Sequence, residues 1–277
     1  MTYRSLLVAL DATPANGART AIAIALAREF DAHLIGLAPT AVFDAQVMQT
    51  AAGMAEAAAV ASERLLAEAV ATAEEFRKRC ASKALRSCEA LADPFPAPTS
   101  LVLAAQCADL LIMSQPDPSV SGHRQQAAEL EQVLLSCARP VLLIPYTHRE
   151  PVRTERVLVA WDGSPESVRA MTDALPLLCR AGHVTLMHWR REAQGTAPLA
   201  RLAGIGQWLA FQGVDAEVRD EVTALAIGDA LLNAASDTGA DLIVMGAYGH
   251  ARWTERLFGG VSRTLLASMT APVLMSH

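Results

Sequence analysis

Late in the chain the sequence reads Gly246-Ala-Tyr-Gly249-His-Ala-Arg-Trp-Thr-Glu-Arg-Leu-Phe-Gly259-Gly260-Val-Ser262. Glycines accept positive φ and let a backbone approach a ligand closely, so this stretch can turn several N–H groups toward one anion. From Gly260 onward the pattern is helical, and the first turn of a helix adds unpaired N–H donors and the positive end of a dipole. Together these make a phosphate cradle, with Gly246, Gly249, Gly259, Gly260, Val261 and Ser262 as its candidate residues. Upstream, Asp162 closes the apolar run Val157-Leu-Val-Ala-Trp161. Its carboxylate can accept from an amino or ribose group of a ligand, or serve the start of a following helix.

No enzyme motif is present. The sequence holds no GxxxxGK[ST] loop, no GxSxG elbow, no HExxH pair and no Ser-Gly-Gly loop. His188 and His250 lack a second ligand at zinc spacing and read as packing or surface residues. Arg252, Arg256 and Arg263 read as surface arginines of an amphipathic segment. Trp161, Trp189, Trp208 and Trp253 read as core or crevice residues.

The elements that must position these groups occur twice. Arg4-Ser-Leu-Leu-Val-Ala-Leu-Asp11 aligns with Glu155-Arg-Val-Leu-Val-Ala-Trp-Asp162, followed by Thr13-Pro14 and Ser164-Pro165. A hydroxyl residue before proline is a helix-start signal, because proline lacks an N–H that would be unpaired there anyway. Ala108-Asp-Leu-Leu-Ile-Met-Ser114 matches Ala240-Asp-Leu-Ile-Val-Met-Gly246, and Arg139-Pro-Val-Leu-Leu-Ile-Pro145 matches Ala271-Pro-Val-Leu-Met-Ser-His277. The offset falls from 151 residues (Asp11 to Asp162) to 132 (Ser114 to Gly246), so the first copy holds 19 more. We place these in a long amphipathic helix between Asp44 and Ala81, where Leu65, Leu66, Ala69, Val70 and Phe76 recur near helical spacing.

In the second copy the pattern predicts strands at Arg156 to Trp161, Val184 to Trp189, Ala216 to Val222, Asp241 to Met245 and Pro272 to Met275. It predicts helices at Pro165 to Leu178, Leu199 to Gln212, Gly228 to Thr238 and Gly260 to Met269. Short apolar strands alternating with helices imply two tandem doubly wound α/β domains, Rossmann-like, each a mainly parallel five-stranded sheet with helices on both faces. The expected domains are 1–148 and 154–277, with a linker at Tyr146 to Thr154. In such sheets ligands bind beyond the carboxyl ends of the strands, which brings Asp162 to the glycine loop.

Composition excludes several classes. The 277 residues are 52% hydrophobic, enough for packed cores, and carry a net charge of −6 shared by both halves. A nucleic-acid partner is therefore not expected. The GxxG of Gly246 to Gly249 is likewise not read as a KH clamp, which needs a basic surround. No stretch reaches the length of a membrane span, and the apolar run before Asp11 is too short for an export signal, so a soluble chain is expected. Five cysteines, widely spaced and never in a CxxC pair, fit a reducing cytoplasm.

Strand-Asp-Gly-Ser at the start, Gly-x-x-Gly then nine residues and Gly near the end, and a closing Pro-Val-Leu strand resemble the universal stress protein family, in two tandem copies. The resemblance implies an adenine nucleotide, ATP with Mg2+ carried by the nucleotide itself, held in the second copy by Gly246, Gly249, Gly259, Gly260, Val261 and Ser262, with Asp162 toward the adenine. It implies a regulatory stress-response role. Two alternatives stand beside it: a nucleotide-free scaffold acting through protein contacts, and at most a slow ATPase. It also implies pairing through the last strand, within the chain as a pseudo-dimer of the copies or between chains as a homodimer.

The second copy departs from the family pattern twice. Gly260 stands where a hydroxyl residue usually follows the third glycine. Trp189 replaces a smaller aliphatic residue near the adenine, where its indole either stacks on a base or fills the pocket. In the first copy the glycine positions become Ser114, Asp117, Ala127 and Ala128, with Leu130 for Ser262. Asp117 and Glu129 would face phosphates with like charge, so no nucleotide is expected there although Asp11 remains.

Overall fold

The computed structural model describes residues 2–40, 55–190, 199–249 and 260–277. They divide into two compact units, one of Thr2–Arg139 with Arg149–Pro151, the other of Pro140–His148 with Val152–His277.

The unit of Thr2–Arg139 alternates β1 (Ser5–Ala9), α1 (Asn16–Phe30), β2 (His33–Pro39), α2 (Ala55–Ala81), β3 (Ser87–Asp93), α3 (Ala97–Ala105), β4 (Leu110–Ser114) and α4 (His123–Ser136). β1 lies between β2 and β4, with β3 outside β2, all parallel. Leu6 stands beside Leu34 on one side and Leu110 on the other, and all three are fully buried. Such unbroken apolar runs survive only where helices cover a parallel sheet.

Helix α2 supplies the expected long helix from Ala55; its start at Asp44 lies outside the described residues. The buried stripe differs from the expected one. Ala69, Ala73, Phe76 and Cys80 face inward at three- and four-residue steps, while Leu65, Leu66 and Val70 face out. Small residues set this register because the helix lies close to the sheet. Phe76 fills the space over Gly36, where an added Cβ would come within 2.6 Å of its ring. At Thr13-Pro14 the expected helix start shifts to Asn16, because the Thr13 hydroxyl bonds the Asp11 carboxylate instead of capping α1.

The other unit contains β5 (Val141–Ile144), β6 (Arg156–Ala160), α5 (Pro165–Asp173), α6 (Leu175–Leu178), β7 (His183–Arg190), α7 (Leu199–Phe211), β8 (Ala216–Val222), α8 (Ile227–Thr238), β9 (Leu242–Gly246), α9 (Gly260–Ser268) and β10 (Val273–Ser276). The helix predicted over Pro165 to Leu178 breaks at Ala174, since Pro176 has no N–H to bond the preceding turn and fits only in the first turn of a new helix. The remaining predicted elements of this copy appear within about two residues of their expected ends.

β6 pairs in parallel with β7 and β9, β8 lies outside β7, and β10 outside β9. β5, which closes the first repeat in sequence, runs antiparallel on β10, with Leu142 opposite Leu274. The apolar edge of β10 is thereby covered. β8, at the opposite edge, is protected differently: Glu217, Arg219 and Glu221 line a largely exposed strand. The chain winds from β6 out through β7 to β8, then crosses to β9. Connections above β6 and β9 therefore diverge and leave a crevice at their carboxyl ends.

Candidate functional site

Three turns build that crevice. After β6, Asp162-Gly163-Ser164 reverses the chain, with Gly163 at φ 80°, where a side chain would be strained. One Asp162 oxygen accepts the Ser164 N–H at 2.9 Å. Ser164 caps α5 by accepting the Ser167 N–H at 3.1 Å, so the Ser-Pro signal acts as the sequence predicts. Asp162 itself stays exposed. It thus serves the helix-start turn and faces the crevice at once.

After β9, the chain turns sharply at Tyr248, whose φ of 58° lies in the left-handed region. Surrounding bonds fix this turn. The Tyr248 N–H donates to Ser262 Oγ at 3.2 Å, the Ala247 N–H to the Ser276 carbonyl at 2.8 Å, and His277 Nδ1 lies 2.9 Å from the Ala247 carbonyl. The two glycines have packing duties as well. A Cβ on Gly246 would stand 2.6 Å from the Ser167 nitrogen, and one on Gly249 2.9 Å from Glu166 Oε2. Around Gly260, by contrast, the space is open.

These parts enclose a cleft of about 400 Å³, within the range of small-molecule sites. Asp162, Gly246, Gly249, Gly260, Val261 and Ser262 all line it, so the structure brings six of the seven expected residues together. Gly259 lies outside the described residues, as do His250, Arg252, Trp253 and Arg256. The amino end of α9 opens onto the same space, with Gly260 as its first residue.

Trp161, His188, Trp189, Ile227, Leu231 and Met245 make a second, largely apolar part of the cleft wall; the sequence reads the two tryptophans as core or crevice residues and His188 as a packing or surface residue. Trp161 and Trp189 are about nine-tenths buried, so their rings fill the wall and leave the cleft itself open. Trp161 Nε1 is buried without a partner among the described residues, a donor that a ligand acceptor lying against this wall would satisfy. His188, expected as a packing residue, is held by Asp220, whose other oxygen takes Arg190. Burial pushes the Asp220 carboxyl up, but these two hydrogen bonds outweigh it and hold it below the usual carboxylate range. Among the described lining residues only His188 can carry positive charge.

The first repeat closes its counterpart. Arg19, on α1, is 2% exposed. Its Nε donates to the Ala9 carbonyl at 2.7 Å, Nη1 to Ser114 Oγ at 2.9 Å, and Nη2 to Asp11 Oδ2 at 2.8 Å and Asn16 Oδ1 at 3.1 Å. A guanidinium thus sits across the carboxyl ends of β1 and β4 and binds the retained carboxylate. α4 begins at His123, so Ala127 and Ala128 lie inside a helix rather than at its free amino end. Asp117 is taken up by Ser119, whose hydroxyl and N–H hold its carboxyl below the usual range.

Residues 153–277 match the model of the universal stress protein family. No curated protein matches the chain. Among solved structures it is similar to a universal stress protein from Archaeoglobus fulgidus DSM 4304, with a TM-score of 0.71, 16% identity and coverage of 98% of this chain and 95% of that one. A putative universal stress protein from Pseudomonas aeruginosa UCBPP-PA14 aligns over 99% of this chain and 93% of its own, with a TM-score of 0.61 and 17% identity. At these identities the likeness is one of fold.

Proposed function

For a chain whose residues 153–277 belong to the universal stress protein family, we propose that the cleft above β6, β7 and β9 binds an adenine nucleotide, ATP accompanied by Mg2+, and that this binding serves a regulatory stress-response role in the cytoplasm. The observation supporting this is the meeting of two unlike groups of residues in the lining of one cleft: Asp162, Gly246, Gly249, Gly260, Val261 and Ser262 with Trp161 and Trp189. Backbone amides at the start of α9 suit phosphates, and indoles suit a planar base. Gly259 belongs to the same proposed set on sequence grounds. The sequence places no nucleophile or general base, so the reading is one of binding rather than turnover.

Charge argues for the metal. A triphosphate beside Asp162 meets no Lys or Arg among the described lining residues. Mg2+ riding on the phosphates supplies the neutralising charge, and the hydroxyl of Ser262 and the amides of Gly260 and Val261 are the groups that would face the complex. The first repeat, its site filled by Arg19, acts in this reading as a structural partner.

Thermal unfolding with and without Mg-ATP tests the proposal. A ligand bound only to the folded state adds about 2.7 kcal/mol at a hundredfold excess over its Kd. The shift should shrink when EDTA removes Mg2+, and denaturing the purified protein should release a nucleotide identifiable by mass. The scaffold reading has its own support, since Gly246 is needed for packing against α5 whether or not a ligand binds. Absence of both shift and released nucleotide would decide for it.

A further inference from the structure

One polar group of the cleft is not used by the nucleotide reading above. His188 lines the cleft near the carboxyl end of β7, and the parallel register sets it beside Asp220 of β8. His188 Nδ1 lies 2.8 Å from Asp220 Oδ1, while Asp220 Oδ2 accepts Arg190 Nε at 2.8 Å. An ionised carboxylate only accepts, so Nδ1 carries the hydrogen. In the tautomer with its hydrogen on Nδ1, a neutral imidazole presents a lone pair at Nε2. That atom has no hydrogen-bond partner among the described residues, and the side chain, 12% exposed, lines the cleft. The Trp161 ring, 6.0 Å away and tilted by 58°, packs near the imidazole.

An acceptor held this firmly discriminates among ligands by which of them can donate to it. Adenine has one kind of donor on its edges, the exocyclic amino group; its unsubstituted ring nitrogens all accept. We propose that His188, positioned by Asp220 and Arg190, selects the base in this cleft by accepting a hydrogen bond from the purine amino group. The inference rests on the nucleotide reading and adds to it a specificity residue outside the glycine loop.

Calorimetric titration of the full chain with Mg-ATP and with the Mg complex of purine riboside triphosphate, which lacks the amino group, tests it. The wild-type chain should bind ATP about tenfold more tightly, the worth of one hydrogen bond. His188→Phe should bind both nucleotides alike, and His188→Gln, which restores an acceptor, should recover part of the preference. Asp220→Asn should reduce the preference without changing which groups of the ligand touch the protein. Equal binding of the two nucleotides by the wild-type chain overturns the inference, even where His188→Phe fails to fold; so does a preference that survives in a folded His188→Phe. Failure of the wild-type chain to bind either nucleotide overturns the nucleotide reading itself and this inference with it.

Discussion

Asp11 and Asp162 occupy equivalent places in the two repeats and have different company. Asp11 is bound by Arg19, which also ties the Ala9 carbonyl and Ser114; at the matching offset the second repeat has Ala170, fully buried, and no guanidinium. Arg19 thus occupies in the first repeat the place that Ala170 holds in the second. The reach of Arg19 to Ser114 spans 95 residues, and nothing in local sequence announces it. Replacing Arg19 with Met would strip donors from a buried carbonyl and a hydroxyl while leaving Asp11, which is 41% exposed, to water. We expect urea unfolding to report a loss of about 2–4 kcal/mol, with any Mg-ATP shift retained because the second repeat's cleft is untouched. A variant as stable as wild type would mean the guanidinium bonds contribute nothing beyond what water supplies.

At the scale of elements, the glycine loop combines two roles that sequence alone could not separate. Gly246 brings the end of β9 within contact of the α5 backbone, whereas Gly260 begins α9 in open space. Gly246→Ala should lower stability by about 1–3 kcal/mol through backbone collision. Gly260→Ala should change stability by less than about 0.5 kcal/mol and act, if at all, on ligand binding. Melting curves of the two variants decide; equal losses would contradict the assignment. The glycine wall was legible because glycine spacing and a helix start are local signals. The cluster of His188, Asp220 and Arg190 was not, because it depends on the register of β7 against β8, and alternating patterns fix which face a residue takes but not its partner on the next strand. For the same reason the outward face of α2 was misread, while the break at Pro176 was a local signal overlooked.

Across the whole molecule the duplication was readable because three apolar strands recur with their flanking Asp or Pro, and both copies build the expected strands. Which side chains vanish from solvent was less readable, and the cysteines measure it independently. Cys107 and Cys179 are exposed, Cys88 is half-buried, and Cys80 and Cys137 are buried. Burial, reinforced by the neighbouring Cys88, pushes the Cys80 thiol up to about 12, and burial also raises Cys88. Only a thiolate alkylates, so at neutral pH both burial and retention of the proton protect Cys80. Brief treatment of the native chain with iodoacetamide should therefore label Cys107 and Cys179 first and Cys80 last, with Cys80 reacting fully only after denaturation. Peptide mass mapping over time reads the order directly. Early labelling of Cys80 would show that the packing of α2 on β2 and β3, which Phe76 and Gly36 lock together, opens in the native chain.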